Sequence, residues 1–483
     1  MLSTKVFSSG DNIQNQKILC NSTAVHPDKL EEVYETERSL EWVISNSFKK
    51  IALQFPDDLL VDAPTVAEIL QEKLQDCTVF ILGDTSYGSC CVDEVAAQHY
   101  GADCIIHYGH TCLSPTSKLP VLYIFTKSEV DIDDCMNQML GTCTEREMKA
   151  ILVCSTAYLH AIDKLFLKLK EHYRNVLATS LVTSKNSKGN DSSEVTVITK
   201  CGRRIEIPAG DCLNNYSFIY IGSNQGPELT VMMMTLNKCR FYTYDPTERI
   251  FRWEQVNMNK ALMKRYYYIE RAKDANIVGI VVGTLGVSRY KEMIDHLKAL
   301  LKKSGKKSYT FMVGKLNPAK LANFAEVDLY VLVACPESSL LDQSEFYQPI
   351  ISPLELEIAC NQARQWTGDY SLDFTELLPR SALYIEAPNF DSTNDDLADV
   401  SLINNRVRTI GMQDTSSLGE SPSTDVSLIN ANMSIATIAR NAGEFLSTRS
   451  WKGLEQKLGE TAVSLAVQGQ CGIAAGYENE PAS

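Results

Sequence analysis

The feature that most constrains this chain is a repeated alternation of short apolar runs with longer stretches whose apolar residues recur at helical spacing. Lys50 to Phe55, Thr78 to Leu82 and Cys104 to Tyr108 read as strands, with helices over Ala63 to Leu74 and Val92 to Tyr100 and a leading helix over Leu30 to Ile44. Apolar strands separated by helices are the pattern of βαβ units on a parallel sheet. The alternation returns at Ala150 to Thr156, with a helix through Leu169, and at Ser217 to Gly222. It returns again at Asn276 to Val282, Tyr309 to Val313 and Asp328 to Ala334, with helices to Leu301 and over Lys320 to Phe324, after a linking helix over Met258 to Ala275. A chain of 483 residues exceeds what one hydrophobic core organises. The expected fold class is therefore α/β, with three related parallel-sheet domains at 33–145, 146–262 and 263–390, between an N-terminal tail (1–32) and a partly disordered, partly irregular C-terminal tail (391–483). Asp391 to Asp425, rich in Ser, Thr, Asn and Asp, has the composition of a loop or disordered insert.

The formal charge of −14, with no long basic cluster, disfavours non-specific nucleic-acid binding, which needs Lys and Arg to displace counterions. No stretch approaches the roughly 18 apolar residues of a membrane span, and Met1 to Ser22 lacks the apolar core of a secretion signal. A cytoplasmic location is expected. In a reducing compartment the 15 cysteines are read as metal ligands or plain buried residues rather than disulfides. Cys20, Cys77, Cys154 and Cys239 fit the second role.

In parallel α/β sheets, ligands gather at the carboxyl ends of the strands. Cys90 and Cys91, after the second strand, and Cys112, after the third, fall on that edge of the first domain; Cys335, before Pro336, falls on the equivalent edge of the third. Three thiolates there could hold an iron–sulfur cluster with one iron left open to a substrate or partner. No paired C-x-x-C motif supports this, and burial alone would also account for each cysteine. Side chains of neighbouring residues diverge, so one of Cys90 and Cys91 is expected to coordinate and the other to pack. His107 and His110 could complete a zinc site instead, or be hydrogen-bonded structural residues. Ser352 and Glu355 make a capping box that puts Cys360 two turns into a helix, where burial is expected. Gly283-Thr284-Leu285-Gly286 is read as a tight strand-to-helix turn, since it is neither a dinucleotide fingerprint nor a Walker loop. Spacing alone supports no Ser/His/Asp or Cys/His catalytic set.

Six strings occur in one order: Leu53-Gln54-Phe55-Pro56-Asp57; Gly83 through Asp93, containing Tyr87-Gly88-Ser89-Cys90-Cys91; His107 through Leu113; Tyr244-Asp245-Pro246; Gly283 through Gly286; and Val333-Ala334-Cys335-Pro336. Together they make the chain similar to the diphthamide synthesis family from about Val33 to Leu378. The resemblance implies three α/β domains arranged around a [4Fe-4S] cluster. It implies a radical use of S-adenosylmethionine by the complex, in which a 3-amino-3-carboxypropyl group is added to a histidine of translation elongation factor 2. The middle domain here lacks the cysteine-bearing loop of the catalytic branch, and its Cys201 and Cys212 match no family string. The chain therefore resembles the second, non-catalytic subunit of a heterodimer, with Cys112 replacing the missing ligand beside Cys91 (or Cys90) and Cys335. Arg449 through Glu455 and the acidic stretch Tyr477 to Glu480 agree with that branch. The implied role is to keep a catalytic first subunit's cluster reduced, with electrons from a small iron-binding carrier protein. A self-sufficient transferase homodimer and a metal-free or zinc-binding scaffold remain the alternative expectations.

Overall fold

The computed structural model describes residues 27–83, 87–143, 147–182, 195–224, 226–254, 257–340, 345–388, 398–403, 407–409, 472–473 and 476–477. The chain divides into two units, 1–424 and 425–483. In the second, one short antiparallel pair is described, Gly472–Ile473 with Gly476–Tyr477. Arg449 through Glu455 lies outside the described residues.

Three large sheets organise the described part of the first unit. The first contains β1 (Lys50–Gln54), β2 (Thr78–Ile81), β3 (Cys104–Tyr108) and β4 (Val121–Ile124), in the order β2-β1-β3-β4 with every pair parallel. The next segment supplies β5 (Lys149–Cys154), β6 (Asn175–Ala178), β7 (Ser180–Leu181), β8 (Val195–Lys200), β9 (Arg203–Pro208), β10 (Ser217–Ile221), β11 (Arg240–Asp245) and β12 (Ile250–Glu254). Five of these make the second sheet, β12-β11-β10-β5-β6, while β7, β9 and β8 form a separate antiparallel sheet. The third sheet has β13 (Ile277–Val282), β14 (Lys307–Met312), β15 (Leu329–Val333) and β16 (Ile350–Ile351), ordered β14-β13-β15-β16 and again parallel. The central strands β3, β10, β13 and β15 are buried along their whole length. Covered on both faces, they read in sequence as continuous apolar runs.

Departures from the expected elements have local causes. The leading helix is broken: Pro27–Val33 and Thr36–Ser45 are separated at Glu35, whose φ of 45° lies in the left-handed region. The β8–β9 hairpin turns at Cys201 and Gly202, and β12 runs antiparallel at a sheet edge, half exposed; neither carries the apolar run of a central strand. The stretch expected to be irregular, 391–425, contains an antiparallel pair, Ala398–Val400 with Val407–Thr409; most of the rest lies outside the described residues. The linking helix spans Asn257–Asp274. Among the described residues no helix is long and apolar enough to cross a membrane.

Candidate metal centre

Four thiols from two sheets converge at one point. Cys90 and Cys91 lie between β2 and the helix Glu94–His99, Cys112 follows β3, and Cys335 follows β15. One sulfur of each lies within 4.8 Å of all the others; Cys90 Sγ stands 3.7 Å from Cys335 Sγ, and Cys91 Sγ 3.8 Å from Cys112 Sγ. Both Cys90 and Cys91 face the site. Neighbouring side chains diverge on an extended backbone, but here the Cys91 N–H donates to the Gly88 carbonyl at 3.1 Å, closing a turn in which successive side chains need not oppose.

Polar contacts fasten the two cysteine loops of the first sheet to each other. Gln54, the last residue of β1 and 1% exposed, donates Nε2 to the Cys91 carbonyl at 2.7 Å and accepts the Asp93 N–H through Oε1 at 2.9 Å. The Cys90 carbonyl accepts both the Cys112 N–H and the Thr111 hydroxyl at 3.1 Å. Asp93 caps the helix beginning at Glu94 by accepting the Ala96 N–H. Glu94, also 1% exposed, accepts the backbone N–H groups of Ser117, Lys118 and Leu119 and so anchors the loop behind Cys112. Three hydrogen bonds to one buried carboxylate make Glu94→Ala costly, about 3 kcal/mol. Such a loss should appear in thermal unfolding, together with roughly tenfold weaker metal retention through the loosened Cys112 loop.

The third sheet docks on this assembly through Gly286. A β-carbon there would lie 2.1 Å from the Val92 carbonyl oxygen, so only glycine lets that turn approach the residue after Cys91. Ser288 N–H also donates to the Pro115 carbonyl at 2.9 Å. The middle sheet gives no cysteine to the group; Cys212 is exposed, and Cys201 sits half-buried with its thiol pushed up to about 11 by burial. Cys360 is buried on the helix Pro353–Cys360, whose capping box is present, and its thiol is raised by desolvation.

The two histidines do not join the sulfurs. His107 places Nε2 3.3 Å from the Ser89 carbonyl. His110 bridges all three sheets' loops: Nδ1 lies 3.1 Å from Thr156 Oγ1, and Nε2 lies 2.7 Å from Glu337. Burial pushes the His110 imidazole down, but the Glu337 carboxylate outweighs it and raises it to about 9. Complete burial lowers His107 from 6.5 to about 4. Its charged form is disfavoured in the fold, so stability is full above pH 6.5 and falls as pH drops toward 4. The loss approaches about 3 kcal/mol, and unfolding temperatures followed over that window should flatten in His107→Gln.

The electrostatics suit a cation. The neighbouring thiols Cys112, Cys90 and Cys91 hold Cys335 well below the usual thiol range, while hydrogen bonds that Cys90 and Cys91 donate to Cys112 and Cys335 hold Cys90 and Cys91 well above it. Four thiolates this close repel one another, and a bound cation is what allows all four to ionise. The donor set fits either four-thiolate zinc or a four-cysteine iron–sulfur cluster. A tetrahedron with zinc–sulfur bonds of about 2.3 Å has edges of about 3.8 Å, close to the two shortest separations, which are also those of hydrogen-bonded thiols. A cluster is larger than one ion and requires the sulfurs to stand farther apart. Beside Cys112 and Glu337 opens a cavity of about 1320 Å³ that also reaches Cys201 and Glu228.

Residues 55–371 match the sequence profile of the diphthamide synthesis protein family. Proteins named 2-(3-amino-3-carboxypropyl)histidine synthase subunit 2 are 45% identical in Danio rerio, over 99% of this chain and 98% of that protein, and 35% identical in Schizosaccharomyces pombe, over 93% and 91%. The crystal structure of Dph2 from Pyrococcus horikoshii with a 4Fe-4S cluster has the same fold, with a TM-score of 0.52 and 22% identity over 70% of this chain and 92% of that one.

Proposed function

This chain belongs to the diphthamide synthesis protein family, and we propose that it is the iron–sulfur subunit of a heterodimer that carries out the first step of diphthamide synthesis. That step is transfer of a 3-amino-3-carboxypropyl group from S-adenosylmethionine to a histidine of translation elongation factor 2, in the cytoplasm. The name carried by the relatives, a synthase subunit 2, supports an assembly with another subunit.

The observation that carries the reading is the number of thiols. Cys90, Cys91, Cys112 and Cys335 would hold the cluster, and a fourth thiolate would leave none of its irons free for a substrate. When bound, a [4Fe-4S] cluster supplies a one-electron store. The chain's own residues then supply position: Gln54, Thr111 and Glu94 fix the loops of the first sheet, and Gly286 brings the third sheet against them. Such a site suits the passing of electrons, from a small iron-binding carrier to the catalytic first subunit's cluster, better than substrate binding. The division of the body at 33–145, 146–262 and 263–390 is proposed with it, one large sheet, parallel but for the edge strand β12, falling in each segment.

The test is turnover with S-adenosylmethionine and elongation factor 2 under reducing, oxygen-free conditions. The isolated chain should transfer no group, and adding the first subunit should restore transfer. Robust turnover by the chain alone would favour the self-sufficient homodimer. The sulfur separations of 3.7 and 3.8 Å favour one second reading, a zinc-binding scaffold; it expects stoichiometric zinc and no sulfide in the purified chain.

A further inference from the structure

We infer that the hydroxyls of Ser338 and Ser114 set the reduction potential of the group held on the four cysteines, an inference that rests on the iron–sulfur reading. Ser338 follows Cys335 by three residues in a turn that brings its backbone N–H to 3.4 Å and its hydroxyl to 3.3 Å from Cys335 Sγ. Ser114, two residues after Cys112, holds its hydroxyl 3.3 Å from Cys112 Sγ. Each sulfur thus has a serine supplied by its own loop. While the cysteines are thiols, S–H donates to the serine oxygen. A ligating thiolate has no proton to give, so the same contact reverses and the hydroxyl donates to sulfur.

Donation to a ligating sulfur withdraws negative charge from the cluster. It therefore stabilises the reduced, more negative state and raises the potential. The arrangement at Ser338 depends on a partner loop as well. A β-carbon at Gly88, in the first sheet's cysteine loop, would stand 3.1 Å from Ser338 Oγ and 3.5 Å from Cys90 Sγ. Glycine at 88 leaves the hydroxyl room between the two loops beside the sulfurs.

The test uses the full chain purified without oxygen, with iron and sulfide assayed and the midpoint potential read from a reductive titration of its visible spectrum. Ser114→Ala/Ser338→Ala should keep the native iron and sulfide content and titrate at a lower potential, with each single variant shifted in the same direction. Ser338→Thr, which keeps the hydroxyl, should titrate with the native chain. An unchanged midpoint in the double variant with a full cluster would overturn the inference while leaving the iron–sulfur reading intact. Loss of the cluster in Ser338→Ala and Ser338→Thr alike would overturn it too, by assigning Ser338 to packing. A native chain that carries zinc and no sulfide would overturn both.

Discussion

Cys335→Ala is expected to give a folded chain that has lost its metal. The other three sulfurs come from the loops of the first sheet, so Cys335 is the one thiol that closes the group from the third sheet. It is fully buried, and its three thiol neighbours already favour its ionised form. Removing one small side chain costs the fold only about 1 kcal/mol, whereas loss of a ligand should exceed the roughly 100-fold weakening that follows loss of a ligand's supporting partner. Cys360→Ala is the matched control, since Cys360 is also buried but lies outside the cluster of sulfurs. Metal per chain and the unfolding temperature, measured on both variants, check the prediction. Comparable metal in the two would mean that Cys335 holds nothing.

Gly286→Ala should be the most damaging single methyl group in the described body. The added carbon meets a backbone oxygen at 2.1 Å, and backbone cannot rotate away as a flexible side chain would. The conflict costs about 3 kcal/mol or more, or it is relieved by lifting the turn after β13 off Val92 and with it the approach of the third sheet to Cys91. Gly141, inside the helix Ile132–Thr142, has nothing within 4 Å of the equivalent position. Gly141→Ala should therefore leave stability unchanged or raise it by up to about 1 kcal/mol. Thermal unfolding of the two variants side by side measures the difference.

What could be read from the sequence follows burial. β1, β3, β5, β10, β13 and β15 are covered on both faces and announce themselves as apolar runs. The β8–β9 hairpin and β12 were illegible because their outer faces meet solvent, and Val195, Val197 and Trp253 are exposed. All four cysteines stood out by their place after strands, but whether Cys90 and Cys91 could share one site depended on a turn closed by Gly88. Glu94 carries no mark in sequence, and Gln54, although it stands in one of the six strings, carries none of its role in holding a cysteine loop. Gln54 clamps a loop 37 residues away and Glu94 anchors one 23 to 25 residues away, and such contacts exist only once the sheet has formed. The glycines of Gly283-Thr284-Leu285-Gly286 signalled a tight turn, whereas the reason for Gly286, a carbonyl from another sheet's loop, lies in tertiary packing.

On the function proposed above, four cysteines of this chain hold an iron–sulfur cluster. The most direct test is the iron, acid-labile sulfide and zinc content of the full-length chain, purified without oxygen beside a first subunit whose own cluster cysteines have been replaced. Iron and sulfide are expected in equal amounts, about four of each per chain, with both lost in Cys335→Ala. Zinc at one per chain without sulfide, or no metal at all, would contradict that reading.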